Sequence, residues 1–235
     1  MPTARPPELK YLQTTALFQR LSEDTLVRIM DDSYERAFSK DEYLFFQDDP
    51  ANEFSICIEG RIKLTQLTPE GNQVIMHYPG PGEVFGLIAV LRGIRFPVTA
   101  QAVEDSRVLA WKDTVMTDWM RREPQIAINS IRILSGFIEN FQNRITELST
   151  ERVERRIART LLRLAQQAGH KDANGIRIDL HLSRQDIAEM AGTTLYTVSR
   201  TLRKWETEGF LDGSGPLIRI TNPHHLVSVA DDLPS

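Results

Sequence analysis

The sequence predicts an α+β protein with strands in its first half and helices in its second. Three features of the 235-residue chain support this class. Short strand-like segments separated by turn residues fill the first half. A heptad pattern of apolar residues follows, and the last third reads as a strand, two helices and a hairpin of strands.

The first half is expected to fold as a sandwich or barrel of short strands between about residues 36 and 115. Segments 54–59 and 61–64 alternate apolar and polar side chains, as half-buried strands do. Regular turns between short strands are typical of such all-β layers. The turn residues, mainly Pro, Gly, Asp and Asn, recur at 48–50, 60, 69–72 and 79–82.

A long helix is predicted next. Pro124 suits its first turn, where the missing N–H needs no partner. Apolar residues then recur at alternating spacings of three and four, the pattern of a coiled-coil seam. The seam residues are Ile131, Leu134, Ile138, Phe141, Ile145 and Leu148. The alternative is that this stripe packs on the strands of its own chain.

A hinge is expected at Ser149 and Thr150. Hydroxyl side chains are favoured as N-caps, so these residues indicate a new helix that begins at Glu151 and ends at Gly169. The new helix is rich in arginine, which indicates either a positive face or a solvated face with ion pairs to nearby glutamates. The arginines are Arg152, Arg155, Arg156, Arg159 and Arg163.

Segment 182–211 predicts two short helices joined by a tight turn. Ser183 can cap the first helix, and Thr193 or Thr194 can cap the second. Gly192 lies between them, where the turn tolerates a positive φ. Strand 176–180 precedes the pair, and segments 210–211 and 217–220 flank a glycine-bearing turn at 212–215. Together these elements make a winged helix-turn-helix.

The second of these helices has two chemically different faces. One is apolar and consists of Val198, Leu202 and Trp205. The other carries Tyr196, Ser199, Arg200 and Arg203. Arginine can donate two hydrogen bonds to guanine, and serine can bond several base edges, so the second face suits the major groove of DNA. The alternative is a plain helical hairpin whose polar face is only solvated.

Segment 182–188, LSRQDIA, together with Gly192 and segment 197–200, TVSR, resembles the DNA-binding domain of the CRP/FNR family of bacterial transcription regulators. The resemblance covers nearly the whole chain. It implies an N-terminal β-roll of the jelly-roll type, similar to cyclic nucleotide-binding domains, and a C-terminal winged helix-turn-helix. The implied domains are 1–122 for the β-roll sensor, 123–149 for the dimerisation helix and 150–235 for the DNA-binding domain.

The resemblance implies a homodimer that binds a palindromic operator in double-stranded DNA, with RNA polymerase as a further partner and activation as the expected effect. Family members usually place glutamate where this chain has Tyr196, so their base preference does not carry over directly. Arg200 is expected to select a guanine in each half-site. The implied DNA contacts are Ser183, Arg184, Gln185, Thr194, Tyr196, Ser199, Arg200 and Arg203.

An effector pocket in the β-roll is also implied. Members that bind cyclic AMP carry Gly-Glu-Leu at the start of this pocket and Arg-Ser about ten residues later. In this chain the Arg-Ser position holds Phe96 and Pro97. This apolar pair cannot offset a buried phosphate, so the expected signal is not cyclic AMP. Arg92 and Arg95 are alternative anion partners. The pocket residues in this chain are Gly86, Leu87, Ile88, Phe96 and Pro97.

Other effectors of the family remain to be weighed. An iron–sulfur cluster needs four cysteine ligands, and Cys57 is the only cysteine, so that cluster is excluded. Cys57 is then either a small core residue or a redox-sensing thiol. Haem stays an open alternative, with His77 and Pro2 as candidate axial ligands. A constitutive regulator without an effector is equally consistent with the sequence.

Composition narrows the function classes. Residues 151–235 carry 12 Lys and Arg against 11 Asp and Glu, whereas residues 1–150 carry 16 against 21. DNA affinity must therefore come from local placement and dimerisation, not from bulk charge.

The sequence shows no signal peptide and no membrane span, so a cytoplasmic location is expected. An enzyme is not expected: His77 is the only histidine before residue 170, which disfavours a cupin-like metal site.

Overall fold

A computed structural model describes residues 8–213, 215 and 217–232. The candidate ligand Pro2 and the turn residue Ser214 lie outside the described residues. Contacts divide the chain into two compact units. The first comprises Met1–Asn72 and Met76–Asn140, and the second comprises Gln73–Ile75 and Phe141–Ser235.

The first unit is a two-sheet β-roll flanked by helices. Its helices are α1 (Leu9–Thr14), a 3-10 turn (Ala16–Phe18), α2 (Glu23–Asp31), α3 (Leu87–Arg92), α4 (Asp113–Arg122) and the start of α5 (Pro124–Thr150). The strands of the β-roll are β1 (Tyr34–Phe38), β2 (Tyr43–Phe45), β3 (Glu53–Glu59), β4 (Ile62–Leu67), β5 (Gln73–His77), β6 (Val84–Phe85), β7 (Thr99–Ala102) and β8 (Ser106–Lys112). The first three residues of β5 are those that the contacts assign to the second unit.

The strands form two four-stranded sheets, in the orders β1-β8-β3-β6 and β2-β7-β4-β5. Glycines with positive φ mark the tight corners between strands, where an L side chain would be strained. Gly60 lies between β3 and β4 with φ of 75°, and Gly82 precedes β6 with φ of 86°. The predicted sandwich of short strands is confirmed.

Two apolar clusters fill this unit. The helix-side core covers the outer face of the first sheet and includes Phe54, Ile56 and Trp111. The inter-sheet core lies between the sheets and includes Cys57 and Phe85. Strand β3 is consequently buried on both faces, although its sequence predicted a strand with only one buried face. Cys57 lies in the inter-sheet core together with other small residues such as Ala100 and Ala102.

The second unit carries a compact helical domain with a small sheet. Its helices after α5 are α6 (Val153–Ala168), α7 (Arg184–Ala191), α8 (Leu195–Thr207) and α9 (Pro223–Asp231). Its strands are β9 (Gly169–Asp172), β10 (Gly175–Ile178), β11 (Leu211–Asp212) and β12 (Arg219–Ile220), which pair in the order β11-β12-β10-β9. This arrangement confirms the predicted winged helix-turn-helix, with shorter strands than the sequence indicated.

The break between α5 and α6 corrects the position that the sequence predicted. Ser149 and Thr150 are not an N-cap but the last two residues of α5. The Thr150 hydroxyl donates to the Thr146 carbonyl at 2.8 Å, and the Glu151 amide donates to the Glu147 carbonyl at 3.0 Å, so the helical pattern runs past the hydroxyls. Arg152, with extended backbone, is the residue that caps α6.

Candidate DNA-binding site

Helix α7 begins with a complete capping box. The Ser183 hydroxyl oxygen accepts from the Asp186 amide at 3.0 Å, and an Asp186 carboxylate oxygen accepts from the Ser183 amide at 2.8 Å. The helix ends at Gly192, whose φ of 57° is left-handed. Thr194, not Thr193, then caps α8 by accepting from the Thr197 amide at 3.2 Å. These caps fix where the second helix starts relative to the first.

The inner face of α8 is buried as predicted. Val198, Leu202 and Trp205 are at most 3% exposed. Helix α7 also buries apolar residues, among them Ile187 and Ala188. Alanine on α7 allows the two helices to approach closely, so α8 buries this face and leaves its opposite face outward.

The outer face of α8 carries the residues that the sequence predicts to contact DNA bases. Tyr196 is 75% exposed, Arg200 and Arg203 are exposed, and Ser199 is half-buried. Thr194 is exposed at the helix start. An arginine that lies free in solvent keeps all its donors available for an external acceptor.

Leu195 was not predicted as part of this surface. It lies three residues before Val198, so its spacing assigns it to the buried face, yet 48% of it is exposed beside Tyr196. The first turn of α8 therefore presents two large apolar side chains. Periodicity alone could not find this, because the residue lies where the buried and exposed faces meet.

The predicted contacts on α7 are partly engaged within the domain. Arg184 lies 3.4 Å from a Glu206 carboxylate oxygen of α8, and the Gln185 amide group donates to Glu189 at 3.1 Å. Both residues lie at the accessible start of α7, with Gln185 exposed and Arg184 half-buried. The Arg184–Glu206 pair also links the two helices of the motif.

Arg156 is a positioning residue that the sequence did not reveal. Its guanidinium donates to the carbonyl oxygens of Ala191 and Gly192, each at 3.0 Å, and to that of Glu151 at 2.9 Å. It thereby satisfies carbonyls at the C-terminus of α7, where a helix leaves them without intrahelical donors. The turn between α7 and α8 is consequently tied to the start of α6.

The other arginines of α6 are mostly paired, so they do not form a free positive face. Arg159 donates to Glu151 at 3.0 Å, and Arg155 lies 3.5 Å from the same carboxylate. Arg163 donates to both oxygens of the buried Glu147, at 2.6 and 2.8 Å. Of the two alternatives drawn from the sequence, ion pairing is the one observed. Arg152 alone of this group is exposed.

The wing is held by an ion pair across its sheet. Arg219 of β12 lies 2.6 Å from both carboxylate oxygens of Asp172. The hydrogen bond from Arg219 lowers the pKa of Asp172, helped by the Asn174 amide. The charge on Arg219 is therefore largely offset within the domain.

Helix α5 exposes the predicted seam. Its large apolar side chains lie along one side of the helix, although such residues are usually buried. They are 45–65% exposed at five positions and half-buried at Leu134. The five are Ile131, Ile138, Phe141, Ile145 and Leu148.

The predicted effector-pocket residues differ in burial, and the ring of Phe96 lies against Gly86. Leu87 and Phe96 are buried, Gly86 and Ile88 are half-buried, and Pro97 is exposed. Phe96 belongs to the helix-side core. Two surface hollows of about 290 and 380 Å³ lie elsewhere on the β-roll, lined by other residues.

Cys57 is buried in the described β-roll, and His77 is the last residue of β5. Burial raises the pKa of Cys57 to about 12, although Arg61 and the Glu59 backbone oppose the shift. A thiol with this pKa is protonated at neutral pH and therefore unreactive. His77 Nε2 lies 3.4 Å from a Glu83 carboxylate oxygen.

The fold and this exposed helix face define a DNA-binding transcription regulator. Comparisons agree: residues 35–123 match the model of the cyclic nucleotide-binding domain, and residues 155–229 match that of the Crp-like helix-turn-helix domain. The chain belongs to the CRP/FNR family of regulators. The resemblance drawn from segment 182–200 is thus confirmed.

Similar proteins span most of the chain. A CRP-like cAMP-activated global transcriptional regulator of Mycobacterium tuberculosis is 21% identical over 92% of this chain and 96% of its own length. The fumarate and nitrate reduction regulatory protein of Salmonella typhimurium is 28% identical over 83% of this chain and 78% of its own. The structure of FixK2 from Bradyrhizobium japonicum has a TM-score of 0.74 at 27% identity and covers 84% of this chain and 96% of that one. The first two of these proteins are named as regulators.

None of the helices in the described part of the chain has both the length and the apolar character that a membrane span requires. In the same part, no three His, Cys, Asp or Glu side chains are grouped as a metal site would need.

Proposed function

We propose that the protein is a homodimeric, cytoplasmic transcription regulator that binds a palindromic operator and activates transcription by contacting RNA polymerase. The observation that carries this proposal is the outer face of α8. Tyr196, Ser199 and Arg200 follow one another along an accessible helix whose opposite face is buried. An α-helix fits the major groove, where base edges carry a distinct pattern of donors and acceptors.

Arg200 would select guanine, because its guanidinium can donate to O6 and N7 together. Tyr196 would contact a thymine methyl group or donate one hydrogen bond through its hydroxyl. The capped starts of α7 and α8, at Ser183 and Thr194, would place backbone N–H groups near phosphates, and Gln185 and Arg203 would add side-chain contacts.

Dimerisation is argued from the chemistry of the exposed seam on α5. The first heptad position holds isoleucine three times, at Ile131, Ile138 and Ile145. The fourth holds Leu134, Phe141 and Leu148. Branched residues at the first position with leucine at the fourth favour two parallel strands. A parallel pair presents two copies of α8, which suits half-sites about 34 Å apart.

The proposed division of labour assigns residues 1–122 to the sensor, 123–149 to dimerisation and 150–235 to DNA binding. The hinge belongs at Glu151 and Arg152, where α5 gives way to α6. The expected signal is not cyclic AMP, because the pocket segment from Gly86 to Pro97 holds no charged residue at the Arg-Ser position. Haem or no effector are the alternatives that remain for the sensor.

The experiment that tests this function is selection of bound sequences from random duplex DNA by the purified full-length chain. We expect an enriched palindrome with a guanine in each half-site and a stoichiometry of two chains per duplex. Gel shifts with the selected duplex then measure affinity. Absence of any enriched motif, with a folded dimer, would contradict a role as a sequence-specific regulator and favour a small-molecule module acting on another partner.

A further inference from the structure

The interior of the β-roll contains a stack of aromatic rings at the predicted effector pocket. The rings of Phe45 and Phe96 lie 3.7 Å apart and nearly parallel, at 11°. Phe85 continues the series, with its ring centre 6.3 Å from that of Phe45. Phe45 packs against both apolar clusters, the helix-side core with Phe96 and the inter-sheet core with Phe85. The stack therefore joins the two cores.

Phe96 lies directly against the start of the cassette, residues 86–97. Its Cε1 atom is 3.2 Å from the position that a Cβ on Gly86 would occupy. Gly86 also has a φ of 79°, so neither geometry nor space allows a larger residue there. The ring thus fills the space in front of the first residue of the cassette.

The backbone around Phe96 holds the ring in place. The Phe96 amide donates to the Asp49 carbonyl at 2.9 Å, and the Phe96 carbonyl accepts from the Asp48 amide at 2.8 Å. Arg95 pairs with Pro50 in an isolated bridge, and its guanidinium donates to the Asp48 carbonyl at 2.6 Å. Arg95 is thereby directed to this loop, and Arg92 is exposed at the end of α3.

A cyclic nucleotide does not fit this arrangement. Its phosphate is a permanent anion, which needs a cation or several donors when it is removed from water. Phe96, whose ring lies against Gly86, is only 3% exposed, and Leu87 beside Gly86 is equally buried. A ligand would have to displace a stacked, buried ring and leave its own charge without a counterpart.

We propose that Phe96 is a built-in occupant of the effector site, so that the β-roll is closed to cyclic nucleotides and held in one state by its own side chain. The inference concerns the β-roll alone. It rests on the proposed regulator function only where DNA binding is used as a readout.

The first test uses the wild-type full-length protein and isothermal titration with cyclic AMP and cyclic GMP at millimolar concentration. We expect no saturable heat and no change in melting temperature. Saturable binding of either nucleotide would overturn the proposal. This outcome is independent of DNA, so it is distinguishable from a failure of the proposed function, which would show as loss of sequence-specific DNA binding by the same sample.

The second test removes the ring with Phe96→Ala and adds benzene. The variant should melt roughly 10 °C lower than wild type, because a phenyl-sized cavity is left in the core. Dry apolar cavities of this size bind benzene, so benzene should raise its melting temperature by several degrees. The matched control is Phe46→Ala, which removes an exposed ring. A folded Phe96→Ala protein with no more benzene response than the control would overturn the proposal.

A milder variant covers the case in which Phe96→Ala does not fold. Phe96→Leu keeps part of the apolar volume, so it should fold with a smaller decrease in melting temperature and a smaller benzene response. If Phe96→Leu melts at the wild-type temperature and ignores benzene, the ring does not fill the site and the proposal is wrong.

Discussion

Helix α8 and the aromatic stack of the β-roll place similar side chains in opposite environments. On α8, the ring of Tyr196 is 75% exposed, and Arg200 extends from the same surface. In the β-roll, Phe96 is buried against Phe45, at the position where the family resemblance implies arginine in members that bind cyclic AMP. Helix α8 keeps its polar groups available for a ligand. In the β-roll stack, apolar rings pack against one another instead.

The closed interior of the β-roll predicts an inert cysteine, and this is the largest effect expected. Because the pKa of Cys57 is raised to about 12, native alkylation by iodoacetamide at neutral pH should be at least about a thousandfold slower than for a free thiol. Mass spectrometry of timed samples measures the rate, and the same protein in denaturant provides the control. Fast native labelling would show that the interior opens and would weaken the contrast with α8.

Operator binding by α8 is predicted to depend on dimerisation through the exposed α5 seam. Ile138→Asp puts a carboxylate into the apolar dimer interface, where desolvation opposes association. Sedimentation should show a monomer, and operator affinity should fall by about a thousandfold because one half-site is no longer bound. Asn143→Asp adds the same charge on the opposite side of α5 and should leave both measurements unchanged. A dimeric Ile138→Asp protein would contradict the assigned interface.

Arg200→Ala tests the exposed face of α8 more locally. Each half-site loses a bidentate contact worth about 1–3 kcal/mol, so affinity for the selected operator should fall by roughly a hundredfold or more. Affinity for random DNA should change little. Arg121→Ala, which removes a highly exposed arginine of the β-roll, serves as the control. Equal losses for both variants would mean that Arg200 contributes only charge.

Tyr196→Glu is expected to give the smallest of these changes. A carboxylate accepts a hydrogen bond from cytosine N4, whereas tyrosine contacts thymine or donates one bond, so the preferred base at one position should shift by about tenfold. Repeating the selection with the variant measures the shift, and overall affinity should be retained. An unchanged consensus would remove Tyr196 from the set of base readers.

Local chemistry allowed much of the second unit to be predicted from the sequence. Ser183, Gly192 and Thr194 have short-range roles, as caps and as a left-handed turn, and each is found in its predicted role. The apolar face of α8 was equally evident, because a helix repeats its environment every three to four residues. Predictions of this kind depend on few neighbours.

Positions that depend on distant contacts were harder to predict. Ser149 and Thr150 resemble an N-cap, but α5 continues through them and the Thr150 hydroxyl bonds back into the helix. Arg156 was one of five similar arginines until the fold brought it to the carbonyls of Ala191 and Gly192. Phe96 was expected to line a pocket, and only the stacking on Phe45 shows that it fills one. For Arg156 and Phe96 a partner far along the chain decides the role, whereas at Thr150 a bond within the same helix does.

The central claim is that the DNA-binding face is intact while the effector site is filled by the protein itself. The most direct measurement is the affinity of the wild-type protein for its selected palindrome, with and without millimolar cyclic AMP. The account predicts sequence-specific binding in both conditions, with dissociation constants that agree within about twofold. Specific binding that appears only with cyclic AMP, or tightens by about tenfold or more, would contradict it.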